Sequence, residues 1–538
     1  MEKEKKLDRN KFTLEEILYF AFFILLSVTK GLGFYEWQKL FILLIIPAFF
    51  FGLLKILMTK YTKRQWALQI ILLLLTGIVF YESGEVGILF VMLTILGMKG
   101  ISVDKVFRLG LWVWTICAIV LSIFSFFRLE HTVYRVSDKM GLGYIFRWSL
   151  GFTHPNVLHT TYLALCVLIL YELGQRYRFR HFLLLMLGNA LVFFYSISYT
   201  GFGIVTLLLV GGLYVRFRPR FCLFEKIVVN LVLPAIIFIS FGLPLMLFGS
   251  SLSKIAQALN FLVNTRIYVA YCFLTPECIS PFGVRMSYLS QIQPYLSIDN
   301  SYIWAFIHYG IILFVLLILA YFALIVDYTR KQKTRELVLI ICLLGAGLTE
   351  PLLFNTSFKN VTLLFLGGLL FRQKENEAEY YLFPKWNRKL EELTSSLLTK
   401  LPIKIWQLTE IPSRLGIVWK AYHKRILTGI AAGAILGIML CSICYTQPKG
   451  YIVPRRTTDW REKESVYLES AKEPAYTEYR IMNYQDADTP MQIVEGRAVT
   501  LETVRYYAGS MLIGGLTGYL FCAGALIRKD RKNEREED

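Results

Sequence analysis

The fold of this 538-residue chain is decided by residues 301–326, which read SYIWAFIHYGIILFVLLILAYFALIV and contain no Asp, Glu, Lys or Arg. About 20 consecutive, mostly apolar residues suffice for a helix to cross the hydrocarbon core of a membrane. The stretch is therefore predicted to be a membrane-spanning helix, and we expect the rest of the chain to be organised around segments of the same kind.

Comparable apolar runs occur along most of the chain. Twelve of them form a first group of predicted spans, at roughly 14–30, 37–58, 66–82, 85–98, 108–127, 157–173, 181–197, 201–216, 226–248, 301–327, 336–350 and 360–371. Two more, at roughly 425–445 and 505–527, follow a charged stretch. No soluble domain needs so many separate apolar runs of this length. The chain is therefore predicted to be an all-α, polytopic membrane bundle of about 12 transmembrane helices with a C-terminal two-helix hairpin.

The basic residues indicate the orientation of these spans. The formal net charge is +19, but the Lys and Arg residues lie in short clusters between apolar runs. That is typical of cytoplasmic loops facing anionic lipid, so we expect membrane lipids and no nucleic acid as partners. With both termini in the cytoplasm, every second loop is basic: Lys60, Lys63 and Arg64; Lys99, Lys105 and Arg108; Arg176, Arg178 and Arg180; Arg216, Arg218 and Arg220; Arg330, Lys331, Lys333 and Arg335.

Two long loops on the opposite, outer side break this charge rule. They cover about 128–156 and about 249–300, and their cations include Arg128, Arg135, Lys139, Arg147, Arg266 and Arg285. Positive charge normally stays on the cytoplasmic side, so exported cations are expected to bind something. A polyanionic substrate held in the membrane is the simplest candidate.

The composition divides the chain into three predicted units. Residues 1–372 form the 12-span domain, residues 373–424 a charged cytoplasmic linker, and residues 425–538 a hairpin that encloses an outer segment at about 446–504. The linker is predicted to contain a helix lying on the membrane surface, from its leucines at helical spacing: Leu390, Leu393, Leu397, Leu398 and Leu401. Glycines at every fourth position would let the hairpin helices approach closely, unless the spans are simply glycine-rich: Gly429, Gly433, Gly437, Gly514 and Gly518.

The cysteines and the known soluble-enzyme motifs give no indication of a cofactor or a metal. Nine cysteines are scattered singly, mostly inside apolar runs. Cys272 and Cys278 lie in one outer loop, where they either pair or remain free thiols. The chain has no P-loop, no nucleophile elbow and no His-Glu-x-x-His zinc motif. Any chemistry must therefore use dispersed residues at the outer face.

A first candidate group of residues precedes the sixth span. Arg147 is followed by His154, Pro155 and Asn156. Pro155 can begin a helix, which places His154 or Asn156 at its positive N-terminal end. That end, together with Arg147, forms an anion site, unless the histidine is merely satisfied by the backbone.

A second candidate group lies in the second outer loop. Arg266 is an attractive phosphate ligand because a planar guanidinium grips phosphate oxygens in a bidentate manner. Asp299 and Asn300 open the tenth span, where either is a good helix N-cap. An ionised Asp fixed at that position would also suit a general base or a group that orients a hydroxyl.

A third candidate is Glu350, at the predicted end of span eleven, with Asn355, Lys359 and Asn360 nearby. A carboxylate at the membrane edge is a functional candidate, with a solvent-seeking interfacial Glu as the alternative. A fourth segment, Ser198-Tyr199-Thr200-Gly201, is by itself an ordinary polar break between two spans.

Taken together, these residues resemble the O-antigen and capsular polysaccharide polymerase (Wzy-type) family, part of a wider polymerase–ligase superfamily of bacterial surface glycans. The resemblance covers about residues 1–372. It rests on an ordered set of short motifs: Arg147 with Leu150-Gly151-Phe152-Thr153-His154-Pro155-Asn156, then Arg266, the Gly283 segment, Ile298-Asp299-Asn300-Ser301-Tyr302 with Gly310, and Thr349-Glu350. One departure concerns Tyr199, which stands where many members have an Arg, so any phosphate-binding role of that Arg must be absent or taken over by another cation.

The resemblance implies a metal-independent glycosyltransferase without a cofactor, in the cytoplasmic membrane of a bacterium. It would join polyprenyl-diphosphate-linked oligosaccharide units into a surface polysaccharide at the outer face. A chain-length regulator or flippase of the same pathway is an expected partner. Three residues are candidates for the base or for orienting the acceptor: His154, Asp299 and Glu350. The expected diphosphate ligands are Arg147 and Arg266, with Arg135 and Arg285 as lesser candidates, and the supporting residues are Asn156, Asn300 and Tyr302.

Two alternatives to a polymerase remain at this point. A ligase that moves glycan to another acceptor needs the same diphosphate grip and activated hydroxyl. A flippase or transporter would be expected to show internal repeats and charged, interrupted helices near the middle of the membrane. Here most ionisable residues lie at span ends and in outer loops, and spans one to twelve show no visible duplication. The C-terminal hairpin lies outside the resemblance. It is either a simple anchoring extension or a short relative of the chain-length regulators of glycan export (Wzz-like proteins), which also place an outer segment between two spans.

Overall fold

The computed structural model shows an all-α protein with two small β-sheets at its outer loops. It describes residues 13–36, 38–127, 134–138, 144–248, 253–262, 265–293, 297–372, 377–390, 392, 411–454, 479–481 and 491–537. Within these residues there are about 18 helices, and ten of them are long and apolar enough to cross a membrane. A multi-pass membrane protein is therefore the architecture that the helices indicate.

The helices of the first half follow the predicted spans closely. They are α1 (Leu14–Gly31), α2 (Lys39–Leu57), α3 (Lys63–Ser83), α4 (Gly87–Leu96), α5 (Val103–Phe127), α6 (Pro155–Leu173), α7 (Phe179–Ser196), α8 (Tyr199–Phe217) and α9 (Leu223–Ile237). A π-helical turn (Phe238–Gly242) joins α9 to α10 (Leu243–Phe248). Capping boxes start α1 at Thr13 and α3 at Thr62, and Gly84 ends α3 in the left-handed conformation.

The second half contains both long and unusually short helices. They are α11 (Ser253–Leu262), α12 (Arg266–Phe273), α13 (Met286–Ile292), α14 (Ser301–Arg330), α15 (Thr334–Ala346), α16 (Leu363–Leu370), α17 (Ile411–Cys444) and α18 (Arg497–Glu537). At 1.5 Å per residue, α15 is about 20 Å long and α16 about 12 Å, well short of a 30 Å hydrocarbon core. A folded loop, residues 347–362, connects them.

The two long outer connections are more ordered than structureless loops. In the first, β1 (Tyr134–Asp138) pairs antiparallel with β2 (Tyr144–Trp148). The second contains α11, α12 and α13. The sequence pattern predicted loops at these two positions, because the strands and helices are short and lack the long apolar runs of the spans.

A close backbone crossing fixes the second outer loop against α14. Gly310 has a φ of +74° and interrupts the helix, and a Cβ there would collide with the Pro281 carbonyl and the Gly283 amide. Gly283, with a φ of +97°, faces the carbonyl of His308 in the same crossing. Only residues without a side chain fit both positions, which explains why glycines stand there.

The predicted basic loops gather at one end of the bundle, away from the two outer connections. Tyr61 pairs its backbone with Tyr380, which follows α16. Lys99 lies 2.7 Å from Glu379 at the same place. Nearby ion pairs of the same kind are Arg64–Glu377, Lys105–Glu16, Arg108–Glu172 and Arg372–Asp327. The alternation of basic and non-basic loops thus corresponds to two distinct ends of the structure.

The C-terminal hairpin consists of α17 and α18, whose glycines pack face to face. A Cβ at Gly433 would collide with the backbone of Gly514, and one at Gly518 with the backbone of Gly429. The close approach expected from the four-residue spacing is confirmed. Between the helices, β3 (Gly450–Pro454) pairs parallel with β4 (Tyr479–Ile481) and antiparallel with β5 (Met491–Val494).

Some predictions fall outside the described residues. The surface helix expected in the linker is one of them, except that residues 384–390 are helical and Leu390 packs against Leu14, Leu18 and Met58. Parts of the outer segment 446–504 are another. Cys272 and Cys278 are described, and both are free thiols.

Candidate functional site

Four segments that are distant in sequence meet in one hydrogen-bonded network, at the end of the bundle that carries the two long connections. Arg147 Nη2 donates to Asn156 Oδ1 over 2.6 Å, and Asn156 Nδ2 donates to Glu350 Oε1 over 2.8 Å. The same Glu350 oxygen lies 3.5 Å from Arg266 Nη2. Arg266 Nε in turn lies 3.3 Å from Asp299 Oδ2. Five of the predicted site residues are therefore joined in one chain of contacts.

The position of Asn156 follows from the start of α6. Pro155 is the first residue of the helix, and His154 is its N-cap. The ring nitrogen Nδ1 of His154 accepts a hydrogen bond from the backbone N–H of Asn156 over 3.0 Å. This is the local arrangement expected from the His-Pro-Asn sequence, and it leaves the Asn156 side chain to bridge Arg147 and Glu350.

Arg147 reaches the network from β2 and is almost fully buried. Its Nε donates to the carbonyl oxygen of Ser196 over 2.8 Å, at the end of α7. The guanidinium therefore connects β2, the end of α7 and the first turn of α6. Ser196 lies just before the Ser198–Gly201 segment, so the break between these two helices supplies a backbone acceptor for the site.

Glu350 lies at the centre of the network, in the loop after α15 rather than in the predicted span 336–350. The helix ends at Ala346, so the prediction of a longer span was wrong by about one turn. Ser301 Oγ donates to the Glu350 carbonyl oxygen over 2.6 Å, which fixes the loop to the start of α14. Burial raises the pKa of Glu350 to about 7, although the nearby cations Arg266 and Lys359 oppose the shift.

Arg266 and Asp299 form the more open side of the network. Arg266 is the first residue of α12, after Thr265 with a φ of +64°. The Arg266 side chain is 18% exposed and that of Asp299 45%, whereas that of Glu350 is only 13% exposed. The contacts of Arg266 with the two carboxylates are longer than those of Arg147 with Ser196 and Asn156. A competing anion would therefore displace the partners of Arg266 more easily.

The remaining predicted residues have structural positions around this network. Asn300 is the N-cap of α14, and its Oδ1 accepts from the Tyr302 amide over 2.8 Å. Tyr302 is fully buried and donates its hydroxyl to the Leu344 carbonyl. Arg135 stands opposite Arg147 in the register of β1 and β2. Arg285 is exposed and donates to the carbonyls of Tyr81 and Glu82, away from Glu350.

Glu350 also lines a cavity of about 260 Å³ at the same end of the bundle. This is just below the range of ligand pockets, about 300–1,000 Å³. Its charged lining residues are Lys30, Glu36, Glu350 and Lys359, and the others are Gly33, Phe34, Tyr35, Phe152, Thr153, Val157, Thr160, Pro351, Leu352, Asn355, Thr356 and Ser357. The network therefore has a chamber beside it in which a polar group could be bound.

Lys359, which the sequence placed near Glu350 without giving it a role, is also part of this site. Its Nζ donates to the Val157 carbonyl over 2.9 Å and to Thr160 Oγ1 over 2.7 Å, both on α6. Burial lowers the pKa of Lys359 to about 7, and the negative charge of Glu350 opposes that shift. The available signal was a lysine between two short apolar runs, nine residues after a candidate carboxylate.

Lys30 and Glu36 also line the cavity, and sequence reasoning did not single them out. Lys30 Nζ lies 3.9 Å from Glu36 Oε1. Glu36 also accepts a hydrogen bond from Thr356, in the loop that carries Glu350. The cavity is therefore lined by charges of both signs, which suits a ligand that is polar rather than purely apolar.

The chemistry available at this site combines a buried carboxyl with fixed cations. A carboxyl whose pKa is near 7 can exchange a proton at physiological pH, which is the requirement for a general base. The guanidinium groups on either side supply positive charge for an anion in a poorly hydrated setting. In the described part of the chain, no group of three or more His, Cys, Asp and Glu side chains is arranged to hold a metal ion.

Comparison of the chain with models of known protein families, with curated proteins and with solved structures finds no match.

Proposed function

We propose that this protein is a membrane glycosyltransferase that polymerises polyprenyl-diphosphate-linked oligosaccharide units at the outer face of the cytoplasmic membrane. The observation that carries the proposal is the meeting of Arg147, Asn156, Arg266 and Glu350 in one hydrogen-bonded network, whose central residue Glu350 also lines a cavity. Arg147, Asn156 and Arg266 come from the two long loops that carry cations against the usual charge rule, and Glu350 comes from the loop after α15.

In the proposed reaction, Glu350 is the general base. The hydroxyl of the acceptor unit attacks the anomeric carbon of the donor, and its proton passes to the Glu350 carboxylate. The bond between that carbon and the diphosphate oxygen breaks, and the electron pair leaves with polyprenyl diphosphate. The raised pKa of Glu350 supports this role. A base whose pKa lies near neutral pH is ionised in part of the molecules and still binds the proton well.

Arg266 is the proposed ligand of the leaving diphosphate. It is less buried than Arg147 and its two carboxylate contacts are long, at 3.3 and 3.5 Å. A phosphate oxygen that replaced Asp299 as the partner of Arg266 would form a short, charge-assisted pair. This pair would stabilise the charge that develops as the diphosphate leaves.

Arg147 has a different proposed role from the one expected at first. Its side chain is buried and already engaged by Ser196 and Asn156, so it suits an orienting function better than diphosphate binding. By holding Oδ1 of Asn156, it directs the Asn156 amide nitrogen towards Glu350. His154 and Asp299 remain candidates for contacts with the acceptor hydroxyl.

The proposal is tested by reconstituting the purified full-length protein in liposomes. The substrate is the lipid-linked repeat unit, extracted from the bacterial cells in which this protein naturally occurs. We expect a ladder of oligomers that remain attached to polyprenyl diphosphate, formed equally with and without chelator. Transfer of single units to a different acceptor would replace the polymerase proposal with a ligase.

The matched variants in that assay are Arg266→Met and Arg330→Met. Arg330 is exposed at the opposite end of α14, so its substitution controls for the loss of a cation. We expect Arg266→Met to abolish the ladder while the protein remains in the membrane, and Arg330→Met to leave it unchanged. An intact ladder with Arg266→Met would remove the proposed leaving-group ligand.

A further inference from the structure

The C-terminal hairpin contacts the candidate site through one buried ion pair. Arg505 and Glu502 on α18 are both fully buried, and Arg505 Nη1 lies 2.6 Å from Glu502 Oε1. The second oxygen of Glu502 accepts from the indole Nε1 of Trp148 over 2.5 Å. The pair thus lies against β2, the strand that carries Arg147.

The Arg505 guanidinium bridges two backbone segments. Its Nη1 donates to the carbonyl of Phe146 over 2.6 Å. Its Nε and Nη2 donate to the carbonyl of Phe194 over 2.9 and 2.7 Å. In return, the hydroxyl of Tyr195 donates to the Arg505 carbonyl over 2.9 Å. A single side chain therefore sets the distance between β2 and the end of α7.

Both bridged segments are the ones that hold Arg147. Phe146 and Trp148 are its neighbours on β2, and Phe194 and Tyr195 precede Ser196, which accepts from Arg147 Nε. From Arg147 the contacts continue to Asn156 and then to Glu350. A shift of β2 relative to α7 would be transmitted along these short hydrogen bonds to the carboxyl.

The chemistry of the contact favours positioning over simple adhesion. Burying two charges is unfavourable unless both are fully hydrogen-bonded, and apolar residues of the same size often give equal or greater stability. An apolar face between α18 and the bundle already exists, in which Tyr506 packs against Trp148 and Phe126. The planar guanidinium of Arg505 also holds two backbone carbonyl groups in a fixed geometry, which an apolar contact cannot do.

We propose that Glu502 and Arg505 are positioning residues for the transferase site, through which the C-terminal hairpin aligns Arg147, Asn156 and Glu350. This rests on the proposed function. It gives the hairpin a role in the reaction itself, in place of membrane anchoring alone.

The test is the pH dependence of polymerisation by the full-length protein in liposomes, with lipid-linked repeat units extracted from the producing cells. Several charged or polar groups face Glu350 and the cavity it lines: Arg266, Asp299, Lys359, Lys30, Glu36 and Asn156. Of these, Asn156 is the one held through Arg147. Loss of its hydrogen bond removes an interaction that lowers the pKa of Glu350, so the acidic limb of the pH–rate profile moves to higher pH.

The test variant is Arg505→Met and the matched control is Arg497→Met, an exposed arginine two turns earlier on α18. For Arg505→Met we expect kcat to fall roughly 10- to 100-fold, because small misplacements of catalytic groups have effects of that size. The acidic limb of the pH–rate profile should also move to higher pH. The Arg497→Met variant should have the rate and the pH profile of the wild type. Partial misfolding would lower the amount of active enzyme, but it would not change the pH at which the acidic limb of the profile lies.

A milder variant covers the case in which Arg505→Met fails to fold. Tyr195→Phe removes one hydrogen bond between α7 and α18 and keeps the ring. It should move the acidic limb in the same direction by a smaller amount. If the limb stays in place in both variants, or in Tyr195→Phe when Arg505→Met does not fold, the positioning role is overturned.

The assay separates this proposal from the function on which it rests. If the wild type is active and Glu350→Gln is not, but the hairpin variants behave as wild type, only the positioning role is wrong. If the wild type forms no glycosidic bond, or Glu350→Gln retains full activity, the transferase assignment is wrong and the positioning role with it.

Discussion

Asn156 and Glu350 lie 194 residues apart in the chain, and their side chains are joined by a 2.8 Å hydrogen bond. The bond links the first turn of α6 to the loop after α15. A buried carboxyl that accepts from a side-chain amide and faces a guanidinium is held in one orientation. The proposed mechanism depends on this fixed carboxyl, and the first predictions concern it.

Replacing Glu350 by Gln is predicted to lower kcat by about 10²- to 10⁴-fold, because the amide cannot accept the proton of the attacking hydroxyl. In the wild type, the base is active when ionised. Since the pKa of Glu350 is raised to about 7, the rate should increase as the pH rises through that value. The measurement is the initial rate of ladder formation between pH 5 and 9. A rate that does not change across this range would argue against Glu350 as the base.

Replacing Asn156 by Asp is predicted to move the acidic limb of the wild-type profile to higher pH. The new carboxylate would lie against Glu350 Oε1, and a like charge at hydrogen-bonding distance favours protonation of the neighbour. The amide donor is lost at the same time. The same pH series measures the shift, and Gln175→Glu, an exposed position just beyond the opposite end of α6, serves as the control for the added charge. An unchanged limb would show that Asn156 and Glu350 are not coupled in the working enzyme.

Replacing Lys359 by Met is predicted to reduce activity with little change in thermal stability. The positive charge of Lys359 lowers the pKa of Glu350, so its removal should move the acidic limb upward. The Val157 carbonyl that Lys359 contacts also accepts from Thr161, so little hydrogen bonding is lost from α6. Activity and unfolding temperature are measured in parallel, with exposed Lys385→Met as the control. A large fall in unfolding temperature would indicate a structural role instead.

Replacing Gly433 by Leu is predicted to destabilise the C-terminal hairpin by about 1–3 kcal/mol, because the added side chain meets the backbone of Gly514. Gly524 on α18 has open space around it, so Gly524→Leu is the matched control. Thermal unfolding in detergent gives the comparison. Equal unfolding temperatures for the two variants would contradict the close packing of α17 and α18.

The spans were predictable because the signal for them is local. A run of apolar residues such as 311–326 specifies a helix whatever its neighbours are. Each of the fourteen predicted spans overlaps a helix, and ten of these helices are long and apolar enough to cross a membrane. The short helices α15 and α16 were less predictable in length. Their ends are decided by the folded loop 347–362 and not by hydropathy.

The site was predictable in its members but not in its contacts. The arginines of the two long loops stood out because the predicted topology places them against a charge rule, and Glu350 stood out because a carboxylate at a predicted membrane edge is unusual. No local pattern could indicate that Lys359 would hydrogen-bond to α6, or that Arg505 would bind the carbonyls of Phe146 and Phe194. Those partners are backbone atoms hundreds of residues away, and they are specified only by packing.

The central claim is that bond formation and diphosphate release are one event at this site. It is tested most directly by counting both products in proteoliposomes supplied with lipid-linked repeat units on one side only. The account predicts one released polyprenyl diphosphate for each new glycosidic bond, with neither product formed by Glu350→Gln. Repeat units that cross the bilayer while no bond forms and no polyprenyl diphosphate is released would contradict it and indicate a transporter.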